Sequence, residues 1–157
     1  MSWQNEVEAL RQRRLRALAQ GGAEAVEKQH ARGRLTVRER IEALCDKESF
    51  FEQGGIAGHS DTDPETGEEA FTPSNAVIGT VRIDGRPVVV SGDDFTLRGG
   101  AYSAVGMAKA EYADRLAVRS RVPVVRLLEA GGASVSGISG TRGRSTGAPS
   151  PRMGKAS

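Results

Sequence analysis

Residues 88–128 read VVVSGDDFTLRGGAYSAVGMAKAEYADRLAVRSRVPVVRLL, and this stretch decides the fold. Residues 88–91 are a short apolar strand, residues 100–120 an alanine-rich predicted helix, and residues 122–128 a second apolar strand. Strand, helix and strand at this spacing predict a βαβ unit with a right-handed crossover and parallel neighbours buried on both faces. Just upstream, residues 76–83 and 86–90 flank Asp84-Gly85. Asp-Gly between two β-rich runs predicts a hairpin, because both turn positions need positive φ. Pro87 fits only where its missing N–H is not required, such as the start of a strand.

Further upstream the pattern turns helical. Trp3, Val7, Leu10, Leu15 and Leu18 fall within one arc at 3.6 residues per turn, which predicts an amphipathic helix over residues 2–20. Gly21-Gly22 supplies a stop, and residues 23–30 predict a second short helix. Thr36-Val37-Arg38-Glu39 fits a capping box and opens a third, with Ile41, Leu44 and Cys45 on its apolar side. Residues 53–75, rich in Gly, Asp and Glu, predict a polar loop with strand-forming pieces at its edges. From Gly137 onward apolar periodicity ends. Arg142, Arg144, Arg152 and Lys155 stand there without an acid, and the segment is expected to be a disordered or aberrant tail.

The 157 residues suffice for one domain with a real core. Basic and acidic residues nearly balance at 22 and 20, so net charge gives no argument for nucleic acid. The basic tail lacks interleaved aromatics for base stacking, which counts against a small nucleic-acid-binding protein. No apolar run approaches a membrane span, and the start MSWQNEVEALRQRR lacks the apolar region of a signal peptide. The single cysteine, Cys45, excludes an internal disulfide and a four-cysteine zinc ribbon. The expectation is a cytoplasmic protein with no membrane or nucleic-acid partner.

Ligand sites in parallel sheets lie beyond the carboxyl ends of the strands. Two glycine pairs sit at such ends: Gly99-Gly100, expected to open the long helix, and Gly131-Gly132, after the strand at 122–128. Consecutive glycines let backbone amides converge on an anionic oxygen with no Cβ in the way, and a helix start adds its dipole. That arrangement suits an oxyanion hole; a plain turn is the competing reading. Residues 153–157 do not make a P-loop, since Pro149 stands where its first glycine belongs and Ala156 where Ser or Thr is needed. His30 and His59 lie too far apart, with no His or Cys nearby, to suggest a metal site. The run Arg11 to Arg16 reads as a solvated helix face, and the acidic stretch 61–69 as a solvated loop without calcium-site spacing.

Four blocks resemble one family in order: residues 28–41 (KQHARGRLTVRERI), 75–90 (NAVIGTVRIDGRPVVV), 92–101 (GDDFTLRGGA) and 122–133 (VPVVRLLEAGGA). Together they are similar to the β subunits of biotin-dependent acyl-CoA carboxylases, such as the propionyl-CoA and methylcrotonyl-CoA enzymes. The resemblance implies an α/β, partial crotonase-like fold of stacked βαβ turns behind an amino-terminal helical arm. It implies transfer of a carboxyl group from carboxybiotin, carried on a partner subunit, to the α-carbon of an acyl-CoA. Gly131 and Gly132 would then donate backbone amides to the enolate oxygen of the thioester, each such donor being worth about 3 kcal/mol of barrier. Gly99, Gly100 and Ala101 would lie near the acyl-CoA, and Arg34 would meet CoA phosphates.

Partners implied are acyl-CoA, a biotin carboxylase and biotin carrier subunit, and further copies of the chain, since full-length relatives are homo-oligomers. The family pattern implies a protein several times longer, with a second crotonase-like domain whose amides hold biotin. The resulting division is a helical arm at 1–52, a partial carboxyltransferase domain at 53–136 and the tail at 137–157. The pattern is expected to fade near Ser145, as a shifted reading frame or truncated gene would make it do. The expectation is a carboxyltransferase portion inactive alone, with a non-enzymatic CoA-binding or assembly module as the alternative.

Overall fold

The computed structural model describes residues 3–67 and 69–129. Four strands form the main sheet in the order β1 (Phe51–Gln53), β4 (Ala76–Ile83), β5 (Arg86–Asp93), β6 (Val124–Leu127). β1 and β5 run antiparallel to β4, and β6 runs parallel to β5, joined to it through helix α4 (Ala104–Ser120). The strand–helix–strand order and the parallel pair expected of residues 88–128 are present, but β6 is not buried on both faces as expected, with Val124 exposed.

β5 is the centre of the molecule. Its side chains alternate between two packed faces, as a strand buried on both sides must. Val88 and Val90 join Val77, Val81, Val37 and Ile41 under helix α3 (Val37–Leu44). Val89 faces the other way, with Ile78, Ala113 and Ala117 under α4. The contact between α3 and β5 is close: a Cβ on Gly92 would come within 2.5 Å of Val37 Cγ2. The β4–β5 hairpin turns through Asp84 (φ 50°) and Gly85 (φ 75°), as the Asp-Gly pair predicts. The Asp46 carboxylate accepts both turn amides, at 3.0 and 2.8 Å. Pro87 is the second residue of β5 and pairs with Arg82. Val89, on the same edge, donates to the Pro123 carbonyl, so the edge that Pro87 presents lies just before pairing with β6 starts at Val89.

Helix α3 opens with the expected capping box. The Thr36 hydroxyl accepts the Glu39 amide, and the Glu39 carboxylate accepts the Thr36 amide at 2.7 Å. A hydrogen bond from His30 and then the one from the Thr36 amide hold the Glu39 carboxyl below its usual range. Helices α1 (Gln4–Leu18) and α2 (Ala23–Ala31) precede it, also as predicted.

Three expectations need correction. The apolar arc of α1 does not meet a core: Trp3, Val7, Leu10, Leu15 and Leu18 are all exposed. α1 instead turns Ala17 inward and lays the Arg13 guanidinium over the Phe71 ring. Periodicity showed that the helix has an apolar side without showing what it faces. The polar segment 53–75 is more ordered than a loop, since β2 (Gly58–Thr62) and β3 (Glu69–Pro73) pair as a second hairpin. Asp63 organises its turn by accepting the amides of Glu65 and Thr66. Finally, α4 does not begin at Gly100. Arg98, Gly99 and Gly100 all have positive φ, at 52°, 61° and 76°, which no right-handed helix accommodates. The helix starts after Ser103, whose hydroxyl caps the Gly106 amide at 3.1 Å. The expected tail at 137–157 lies outside the described residues.

Candidate functional site

The carboxyl ends of β5 and β6 lie side by side, and a compact turn follows β5. After β5 the chain passes through Asp94 and Thr96 into the compact turn at 98–100. The Asp94 side chain is buried, and Thr96 donates to it from both backbone and hydroxyl. Burial nevertheless pushes its carboxyl above the usual range, outweighing those hydrogen bonds and the attraction of Arg38.

Gly99, Gly100 and Ala101 sit at this strand end, yet not as a row of free amides. The Gly100 amide donates to Leu97 O at 3.0 Å and the Ala101 amide to Arg98 O at 3.2 Å. Both donors are spent inside the turn, so the glycines serve its curvature rather than a helix-dipole anion site. Asn75, almost wholly buried, grips the next residues: its Nδ2 donates to Ala101 O at 2.5 Å and its Oδ1 accepts the Ser103 amide at 3.3 Å. Gly106 makes room for it, because a Cβ there would stand 2.5 Å from Asn75 Oδ1. A small cavity of about 70 Å³ lies between this turn and the β2–β3 hairpin, lined by His59, Pro73, Leu97, Arg98 and Ser103 among others.

Two acidic residues tie the strand ends together. Asp93 closes β5 and is 2% exposed. Its Oδ1 accepts the Tyr102 hydroxyl, and its Oδ2 accepts the backbone amide of Glu129 at 3.1 Å. Burial, reinforced by Asp93, raises the Tyr102 hydroxyl well above its usual pKa, so it stays a donor. Glu129, just beyond β6, is held by the helical arm. Gln29 Nε2 donates to its Oε1 at 2.6 Å, Arg40 Nη1 meets its Oε2 at 3.0 Å, and Arg34 Nη1 lies 3.6 Å from Oε1. Arg34 also stacks its guanidinium over Phe95, 5.9 Å from the ring centroid, placing it beside the β6 end.

A second buried charge lies on α4. Lys109 is 8% exposed and donates to Gly54 O at 3.1 Å, near the paired Arg38 and Glu52. Burial lowers its pKa to about 8. His30 is exposed on α2 and bonds Glu39, while His59 is on strand β2 rather than in a loop and bonds Asp61. Among the described residues no cluster of three or more His, Cys, Asp or Glu side chains suits a metal ion. No helix among them is long and apolar enough to cross a membrane.

The structure thus brings Arg34 to the β6 end and Gly99, Gly100 and Ala101 to the β5 end. Gly131 and Gly132 lie outside the described residues, which stop two positions short at Glu129. Sequence reasoning missed Asn75, Asp93, Tyr102 and Glu129 as the groups that organise the site. The one available sign was the pair Asp93-Asp94 closing an apolar strand, where a buried carboxylate needs partners.

Residues 28–149 match the carboxyl transferase domain family, a few residues past the Ser145 at which the pattern was expected to fade. A biotin-dependent acetyl-/propionyl-coenzyme A carboxylase beta5 subunit from Mycobacterium tuberculosis is 37% identical over 126 residues, covering 80% of this chain and 23% of that protein. A propionyl-CoA carboxylase beta chain from Cereibacter sphaeroides is 38% identical over 129 residues, covering 82% and 25%. Methylmalonyl-CoA decarboxylase subunit alpha from Veillonella parvula is 34% identical over 132 residues, covering 84% and 26%. The hexameric transcarboxylase 12S, solved with methylmalonyl-coenzyme A and methylmalonic acid bound, superposes with a TM-score of 0.74 at 31% identity, covering 87% of this chain and 27% of that one. The beta subunit of Pseudomonas aeruginosa geranyl-CoA carboxylase gives a TM-score of 0.67 at 30% identity, covering 83% and 24%. The chain spans about a quarter of the length of these relatives.

Proposed function

This chain belongs to the carboxyl transferase domain family, with the crotonase-like fold of its structural relatives, and from that premise we propose that it forms the amino-terminal part of an acyl-CoA carboxyltransferase site. In this reading a carboxyl group leaves the ureido nitrogen of carboxybiotin, brought by a biotin carrier and biotin carboxylase partner, and bonds to the α-carbon of an acyl-CoA. Carboxybiotin supplies the activated carboxyl group; no residue described here is assigned to holding it.

The chain's own part is to hold the thioester. Overall, the proton leaving the α-carbon replaces the carboxyl group on the ureido nitrogen, and the C–H electron pair delocalises onto the thioester oxygen before it bonds the carboxyl carbon. Amides at Gly131 and Gly132 stabilise that oxygen, each by about 3 kcal/mol in the transition state. The turn at Gly99, Gly100 and Ala101 borders the acyl-CoA as a shaped wall, since the Gly100 and Ala101 amides are already used. Arg34, exposed at the rim, meets a CoA phosphate.

The observation that supports this reading is that the Gly99-Gly100 turn lies beyond the carboxyl end of β5 and Glu129, bonded to Asp93, lies just beyond that of the parallel β6, where open α/β sheets place their ligands. Because the chain spans about a quarter of its relatives, we propose that it binds acyl-CoA without turning it over, and that turnover belongs to an oligomeric assembly with the remaining carboxyltransferase residues. Calorimetric titration with propionyl-CoA tests the first part. Saturable heat, absent with free propionate and weakened in Arg34→Ala, is expected; no heat up to millimolar ligand sinks the proposal. Carboxylation of propionyl-CoA by the purified chain alone would overturn the second part.

A further inference from the structure

Asp93 occupies a place that neither glycine pair explains. It is a buried carboxylate between the turn after β5 and the end of β6, and each of its oxygens holds a different one. Oδ1 takes the hydroxyl of Tyr102, which follows directly on Gly99-Gly100-Ala101. Oδ2 takes the backbone amide of Glu129, the last residue before Ala130-Gly131-Gly132.

We propose that Asp93 is a positioning residue that fixes the turn after β5 and the chain at Glu129, just beyond β6, relative to each other, so that the acyl-CoA meets both in one register. The proposal rests on the functional reading above for what is positioned, and on the hydrogen bonds alone for the positioning.

Three features make Asp93 suited to this. An ionised carboxylate accepts at both oxygens and donates from neither, so one side chain satisfies a hydroxyl and an amide at once. Its own backbone is part of β5, at the end paired with Ala76 of β4, and β5 has strands on both sides and helices on both faces. The anchor is therefore a strand constrained on both edges and both faces. The two tethered elements are secured from elsewhere as well: Asn75 holds Ala101 and Ser103, and Gln29, Arg34 and Arg40 hold the Glu129 side chain. Asp93 reaches both from within the sheet, whereas Arg34, which meets Glu129 and Phe95, does so from the helical arm. Sequence separations of 9 and 36 residues mean that neither tether is a local turn contact.

Substitution separates the tethers. In Asp93→Ala both are lost. In Asp93→Asn the remaining oxygen keeps the Glu129 amide, while the new NH₂ group donates to a Tyr102 hydroxyl that has turned to accept, so the bridge survives in altered polarity. In Tyr102→Phe only the first tether is lost.

The experiment is amide hydrogen exchange by NMR on the full 157-residue chain, read at Gly100, Ala101 and Glu129. Val89, in the sheet centre and bonded to Pro123 O, reports that the fold is intact. The same proteins are titrated with propionyl-CoA. Asp93→Ala is expected to accelerate exchange at all three reporters about tenfold or more, with Val89 unchanged, and to weaken propionyl-CoA binding about tenfold. Asp93→Asn should restore both readouts to within about threefold of wild type. Tyr102→Phe should accelerate Gly100 and Ala101 and leave Glu129 alone. A merely structural residue would move Val89 with the others and would not be rescued by asparagine. Unchanged exchange at Gly100 and Ala101, or at Glu129, in Asp93→Ala overturns the proposal, as does Asp93→Asn behaving like Asp93→Ala. If Asp93→Ala fails to fold, Tyr102→Phe decides: Gly100 and Ala101 exchanging as in wild type, or Glu129 accelerating with them, overturns it. Absence of propionyl-CoA binding by the wild type would refute the functional reading, while the exchange data still judge the tethers.

Discussion

Lys109 carries a measurable load on stability, and pH reveals it. The side chain is 8% exposed, and burial lowers its pKa from 10.5 to about 8. Each tenfold change in proton affinity is worth about 1.4 kcal/mol, so holding the ammonium in this environment costs about 3 kcal/mol relative to the unfolded chain. Below pH 8 the lysine is charged in both states and the whole cost applies. Between pH 8 and pH 10.5 the unfolded chain binds more protons than the folded one, so this group makes stability rise with pH. Lys109→Met removes the charge and keeps the apolar stem. It also removes one of the two donors to Gly54 O, which keeps the Ala57 amide, a loss of about 1 kcal/mol. The variant should therefore be more stable than wild type by about 2 kcal/mol near pH 7. By about pH 9.5 wild type has recovered about 2 kcal/mol, so the two curves meet. Urea denaturation followed by circular dichroism at both pH values gives the difference directly, with other titrating groups cancelling between the proteins. A difference that does not change with pH, or a variant less stable near pH 7, would refute the reasoning.

Three further outcomes are expected. Thr36→Ala removes the α3 cap and should cost about 1 kcal/mol in urea midpoint terms, with Thr36→Ser recovering most of it. Gly106→Ala drives a methyl to 2.5 Å from Asn75 Oδ1; the displaced Asn75 should cost about 1–3 kcal/mol in thermal melts. Glu129→Ala strips the acceptor from Gln29, Arg40 and Arg34. It should destabilise the fold by about 1–3 kcal/mol and speed protease cleavage between α2 and α3; cleavage at the wild-type rate would show that the arm is held by other contacts.

What could be read before the structure was whatever short-range chemistry dictates. Asp84-Gly85 announced a turn because positive φ at both positions leaves few alternatives, and Thr36 with Glu39 announced a helix start because two amides there need acceptors. The parallel pair followed from two apolar runs separated by a helix-length segment. The orientation of α1 was not legible, because an apolar arc says nothing about whether a neighbour exists to cover it. Nor was the start of α4: Gly99 and Gly100 permit positive φ, but Arg98 adopts it as well, and its amino-acid type does not demand that. The bridge from Asp93 to Tyr102 and Glu129 was hidden for a different reason. It joins residues whose proximity is created only when β5 and β6 pair, so no window along the chain contains it.

Gln29 and Glu129 meet across 100 residues of chain, and this sets an order of events in time. The β4–β5 hairpin closes through a two-residue turn, an event of roughly 1–10 μs for an isolated hairpin. β6 must wait for α4 and its crossover, since loop-closure entropy delays non-local pairing. On a ribosome the arm and the hairpin are synthesised before Glu129. Gln29, Arg34 and Arg40 thus spend that interval facing water, and the polar latch over the site is among the last contacts of the described fold to form.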